Sequence, residues 1–158
     1  MNEEQVKCVG WIDAIIEHKD GKKEKLQFPN AVLRKGRGAL AKSLANALGD
    51  GGYNFYISRM VFGDGGTSSG TTKFVDTNRT SLYGLTRASK PVIGSIDPTT
   101  PTKAIFTSVL TFNDANGYIL NEMGLVMNNN DFYSIATFPD LTKTDGIQIV
   151  WSWGLNFL

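Results

Sequence analysis

From Ile147 onward, every second side chain is large and apolar: Ile147, Ile149, Trp151, Trp153, Leu155 and Phe157. Gln148, Val150, Ser152, Gly154 and Asn156 lie between them. Strict period-two alternation of this length is the pattern of a half-buried antiparallel strand. It sets the fold class as β-rich. It commits two of the three tryptophans to one face of one strand. It also predicts that the final residues are held in a sheet, where most chains fray.

The rest of the chain agrees with a mainly β protein. Residues 5–28 read as a hairpin: a β-like run from Val6 to Ile16, an Asp20-Gly21 turn, and a return that Pro29 stops. Further strands are expected at 54–62, 90–96, 103–112, 123–127 and 132–138. Asn and Gly turns separate several of them, and residues 139–145 read as the last loop. One helix stands out near residues 31–48. Asn30 is its expected N-cap, Leu33, Leu40, Leu44 and Leu48 share a face, and Gly49 is the expected C-cap. Gly36 and Gly38 either weaken its first turns or let another backbone come close. These elements predict one domain over residues 1–158, an antiparallel β-sandwich of immunoglobulin-like or jelly-roll-like type carrying one helix.

Composition limits what such a domain does. At 158 residues, folding buries about 68–70% of the chain's surface, enough for a core without staples. The formal charge of +1 creates no field that steers the protein to nucleic acid or membrane. Cys8, the only cysteine, allows no internal disulfide and reads as a small buried hydrophobe. The polar, acidic N-terminal residues do not read as a secretory signal, and no apolar run is long enough to span a bilayer. A protein made and folded in a cytoplasm is expected.

The search for chemistry is short. His18, the only histidine, falls at a hairpin tip, poorly shielded for catalysis. Gly65 and Gly70 have the spacing of a phosphate-binding loop, but Thr71 stands where that loop needs Lys, and no helical pattern follows. The stretch 63–72 reads as a flexible loop, continuing irregularly to about Tyr83; loops of such length are often functional. Asp64, Asp114 and Asp131 sit in turns, and none matches a calcium loop. Lys22, Lys23, Lys25, Arg34, Lys35, Arg37 and Lys42 face a single acid, Glu24, so this region reads as a solvated face or one that meets an acidic neighbour. Glu122 lies inside the apolar run Ile119–Leu125, where a buried carboxylate needs a partner; Arg59 and Arg87 are the candidates. No catalytic, cofactor-binding or metal residue is assigned. The chain reads as a protein that is not an enzyme and carries no cofactor.

The second half resembles a known group of proteins. Asn121-Glu122-Met123-Gly124-Leu125 is followed by a polar turn, by Ile135-Ala136-Thr137-Phe138-Pro139, by the loop Leu141-Thr142-Lys143-Thr144 and by the Trp-bearing strand. This order resembles structural proteins of tailed-bacteriophage virions, of the collar, neck and tail-fibre-attachment kind. The order of hairpin, helix, strand and Gly63-Asp64-Gly65-Gly66-Thr67 fits the same pattern. The resemblance covers residues 30–67 and 104–158. It implies a virion protein with a β-sandwich core, assembling with copies of itself and with other tail or neck proteins. It implies no membrane or specific nucleic-acid partner and no catalytic residue. The long loop, with Tyr53, Tyr83 and Tyr118, keeps an alternative open: a carbohydrate- or receptor-binding module of a tail fibre.

Overall fold

The computed structural model describes residues 7–45 and 55–158. It is mainly β, as the alternation requires. Two antiparallel five-stranded sheets face each other. Sheet A runs β2(Lys23–Pro29), β1(Cys8–His18), β12(Ile147–Phe157), β9(Lys103–Leu110), β8(Ile93–Ile96). Sheet B runs β3(Ala31–Val32), β11(Phe132–Thr142), β10(Ile119–Met127), β4(Ile57–Gly63), β7(Thr86–Pro91). A small hairpin, β5(Thr67–Ser68) and β6(Thr71–Thr72), stands apart from both.

The terminal strand occupies the middle of sheet A, between β1 and β9. Its inward residues, from Ile147 to Leu155, are all buried, with Trp151 and Trp153 fully so. Trp151 lies against Phe62 from sheet B, ring centroids 5.1 Å apart, and against Phe138 at 5.6 Å. The alternation is thus a core pattern, with both indoles packed inside their own chain. Gly21 takes the positive φ (+89°) that the β1–β2 turn demands.

Several expected boundaries move. The helix, α1(Arg34–Leu44), starts after Leu33 and has no side-chain N-cap. Asn30 is a cross-link instead. With its amide oriented to satisfy both ends, it donates to the Gly10 carbonyl (2.8 Å) and accepts from Trp153 Nε1 (3.1 Å). The helix packs through Gly36 and Ala39 rather than its leucines, and Leu44 is 84% exposed. Gly36 is required by contact: a Cβ there would lie 2.4 Å from the Tyr133 carbonyl oxygen. A Cβ on Gly38 would meet nothing within 4 Å among the described residues. Leu48 and Gly49 lie outside the described residues.

Pro139 does not end its strand; β11 runs on to Thr142. The register with β10 slips there, from Glu122 opposite Thr137 to Leu120 opposite Leu141. A proline, which donates no ladder bond, is tolerated at such an irregularity. The expected strand at 90–96 is two: β7 pairs in sheet B and β8 in sheet A, with the switch at Val92.

Candidate functional site

The β10–β11 irregularity places two consecutive polar residues inside the fold. Asn121 is 4% exposed and Glu122 0%. Among the described residues neither meets a cation. Glu122 Oε1 accepts the Gly65 N–H (2.9 Å) and the Gly84 N–H (2.8 Å), and Oε2 accepts the Tyr83 N–H (2.7 Å). Asn121 Oδ1 accepts the Gly66 N–H (2.7 Å), and its Nδ2 donates to Asp140 Oδ1 and Thr67 Oγ1, both at 3.0 Å. Two neighbouring side chains thereby fasten both ends of the segment 64–85 to sheet B.

Three glycines of this segment, Gly65, Gly66 and Gly84, stand where another part of the chain approaches closely. A Cβ on Gly66 would lie 2.1 Å from the Asn121 carbonyl oxygen, and one on Gly65 2.2 Å from the Gly84 nitrogen. The stretch read as a flexible loop is instead fastened at Gly65 and Gly66 and paired as the β5–β6 hairpin, whose tip at Ser69-Gly70 is exposed. Asp64 adds a further fastening, accepting from Leu85 N–H (3.0 Å) and Arg87 Nε (2.6 Å). Burial works against its ionised form, but these two donors outweigh that and hold its carboxyl below the usual range. Arg87, the expected partner of Glu122, is thus spent on Asp64.

The middle of the segment is held as firmly. Lys73 N–H donates to Gly66 O (2.8 Å), and Thr137 Oγ1 donates to Lys73 O (2.7 Å). The Tyr83 hydroxyl donates to Phe74 O. Val75 and Leu82 join Leu33, Val61, Val126 and Ile135 in a second, smaller apolar cluster. Within this clamped backbone Phe74 projects outward, 89% exposed. Beside it lies an open groove of about 510 Å³ between residues 28–31, 72–75 and 135–139. A fixed aromatic next to an apolar groove is suited to contact with another macromolecule.

The other sequence candidates are placed apart. His18 Nε2 pairs with Glu24 Oε2 (2.6 Å) at the exposed hairpin tip. Gly70, with φ +79°, turns the β5–β6 hairpin, and no helix follows it. Burial opposes the Asp114 carboxylate, yet Lys90 Nζ and the Thr111 N–H, each at 2.8 Å, keep its carboxyl below the usual range. Asp131 pairs with Lys35 (3.0 Å). Among the described residues no three His, Cys, Asp or Glu side chains stand together as metal ligands. Of the basic run, Lys23 and Lys25 lie 3.6 and 3.7 Å from Glu17 and Asp13, and with Lys35 on Asp131 three of its seven cations are paired within the chain. Tyr53 lies outside the described residues. Tyr83 carries the Arg79 guanidinium 3.5 Å from its ring centre, and Tyr118 carries that of Arg87 at 4.6 Å.

Sequence reasoning missed Lys143. It is fully buried, donating to Asn116 Oδ1 and Thr144 O, both at 2.9 Å. Desolvation lowers its pKa, against the opposing pull of Asp114 and Asp145. A lysine between two threonines carries no local sign of burial.

Comparison of the chain with protein-family models, with curated proteins and with solved structures finds no match.

Proposed function

We propose that this protein is a structural subunit of a tailed-bacteriophage virion, a collar, neck or fibre-adaptor part that assembles with copies of itself. One observation carries the reading. The segment 64–85 is fastened by Asn121 and Glu122 so that Phe74 stands 89% exposed on a stiff backbone. Exposing a phenylalanine to water is costly for a lone domain, and rigid presentation lowers the entropy lost on docking. The segment Asn121–Leu125, one of the motifs in the resemblance to virion proteins, is the one that does the fastening. Closed homo-oligomers are the common architecture for such parts.

The glycan-binding alternative relies on open aromatic faces. Arg79 and Arg87 already occupy one face of Tyr83 and Tyr118, which favours the assembly reading. Light scattering across the micromolar to millimolar range tests it. A defined oligomer whose population falls in Phe74→Ser is the expected result. A strict monomer at every concentration, with no affinity for other virion proteins, overturns it.

A further inference from the structure

An unpaired strand edge is a row of free N–H and C=O groups, and chains normally guard it with charge, proline or cover. Two edges of this sandwich are guarded in that way. β2 carries Lys23, Glu24, Lys25 and Pro29, and β7 carries Arg87, Lys90 and Pro91. A third, β3, is two residues that lead through Leu33 into α1. The remaining edge, β8, reads Ile93-Gly94-Ser95-Ile96 and has neither charge nor proline. Among the described residues nothing pairs with its outer side. The whole strand is exposed, Ile93 to 76% and Ile96 to 61%.

Register fixes which backbone groups are free. Asp97 N–H donates to Lys103 O (2.9 Å), so the alternation of an antiparallel ladder turns the groups of Ile93 and Ser95 toward β9. Those of Gly94 and Ile96 face away from it. The free run ends there. Val92 N–H bonds Ser58 O in sheet B (3.2 Å), and Pro98 has no N–H. Ile96 stands opposite Ala104, which stands opposite the buried Leu155, so Ile96 is on the core-facing side of sheet A. Gly94 shares that side and stands opposite Phe106, whose ring would lie 3.2 Å from a Cβ at this position.

We infer that β8 pairs antiparallel with β8 of a second copy about a two-fold axis, joining the two copies of sheet A into one continuous sheet. One register uses every free group: Gly94 opposite the partner's Ile96, Ser95 opposite the partner's Ser95, and Ile96 opposite the partner's Gly94. It lays each Ile96 over a glycine and the Phe106 ring behind it, and it sets no like charges opposite each other. Main-chain bonds hold such an added strand, and the side chains on one face select it. β8 offers no charge to select a different protein, whereas its own copy satisfies it at both ends, the self-match of a two-fold contact. The inference rests on the self-assembly reading and names the edge used.

Sedimentation velocity of the full chain, of Ser95→Lys, of Ser95→Glu and of their equimolar mixture tests it, with Phe74→Ser alongside. Ser95 is exposed, so thermal melting within a few degrees of the parent is the check that each variant folds. The parent is expected to sediment as a dimer or a multiple of dimers. Each Ser95 variant alone should raise the dimer dissociation constant by about tenfold or more, because like charges then stand directly opposite across the axis. The mixture should restore the dimer, since lysine then faces glutamate. Single variants that dissociate without rescue in the mixture overturn this pairing. An oligomer unchanged in both Ser95 variants but lost in Phe74→Ser overturns the β8 seam and leaves the assembly reading standing. A parent that is monomeric throughout overturns both the seam and self-assembly.

Discussion

Glu122 offers the sharpest test of how the segment 64–85 is held. Its carboxylate is fully buried and receives three backbone N–H groups, from Gly65, Tyr83 and Gly84. Glu122→Leu keeps a side chain in the space and removes every acceptor. The three N–H groups are only partly buried, so each orphaned donor costs near the low end of the usual range, about 1 kcal/mol. The total is about 3 kcal/mol, concentrated in one segment. Glu122→Gln retains one acceptor oxygen and turns an NH₂ toward the third donor, so it costs roughly 1–1.5 kcal/mol. Because a domain holds about 5–15 kcal/mol in all, both variants fold, and the loss appears as local opening. Native-state hydrogen exchange reads it directly. Protection of the Gly65, Tyr83 and Gly84 amides should fall about a hundredfold in Glu122→Leu and about tenfold in Glu122→Gln. Amides of β12 should change much less. Unchanged exchange at those three amides in Glu122→Leu refutes the latch. So does an equal loss in β12, which would make Glu122 a global core residue instead.

Three further predictions follow from the core and the charges. Trp151→Ala should cost about 3–5 kcal/mol in urea unfolding. Trp151→Phe should cost about 1 kcal/mol less than Trp153→Phe, because among the described residues Trp151 Nε1 has no hydrogen-bond partner whereas Trp153 Nε1 donates to Asn30; equal losses contradict the Asn30 cross-link. Asp64, Asp97, Asp114 and Asp140 all have folded pKa values below their usual ones. Their contribution is complete above the unfolded carboxyl pKa of about 4 and is lost as pH falls through the lower folded values. Melting temperature should therefore be flat from pH 7 to about 5 and drop steeply below about 4, with a shallower drop in Asp64→Asn. Lys143, with its pKa lowered by desolvation, binds its proton less tightly folded than unfolded and so favours folding more as pH rises toward its unfolded value. Lys143→Met should be no less stable than the parent at pH 7 and should lose that alkaline gain; a loss above about 2 kcal/mol would show that its two hydrogen bonds outweigh its desolvation.

The sheets were legible because their signal is local. Alternation through β12, the Asp20-Gly21 turn and the β10–β11 hairpin each follow from neighbours in sequence. What the sequence hid is set by distant contacts. Asn30 has the look of a helix cap, yet its partners Gly10 and Trp153 come from other strands. The glycines at 65 and 66 read as flexibility because composition does not reveal that a backbone passes within reach. Glu122 was recognisable as a buried carboxylate in need of partners. That backbone N–H groups, rather than Arg59 or Arg87, answer it depends on a chain fold some forty to sixty residues away.

The proposal that this chain is a virion subunit meets its most direct test in electron cryomicroscopy of intact particles from the source of this sequence. The reading predicts density for repeated copies in the neck or tail, with Phe74 against a neighbouring chain. A particle map whose neck and tail are fully accounted for by other chains contradicts it.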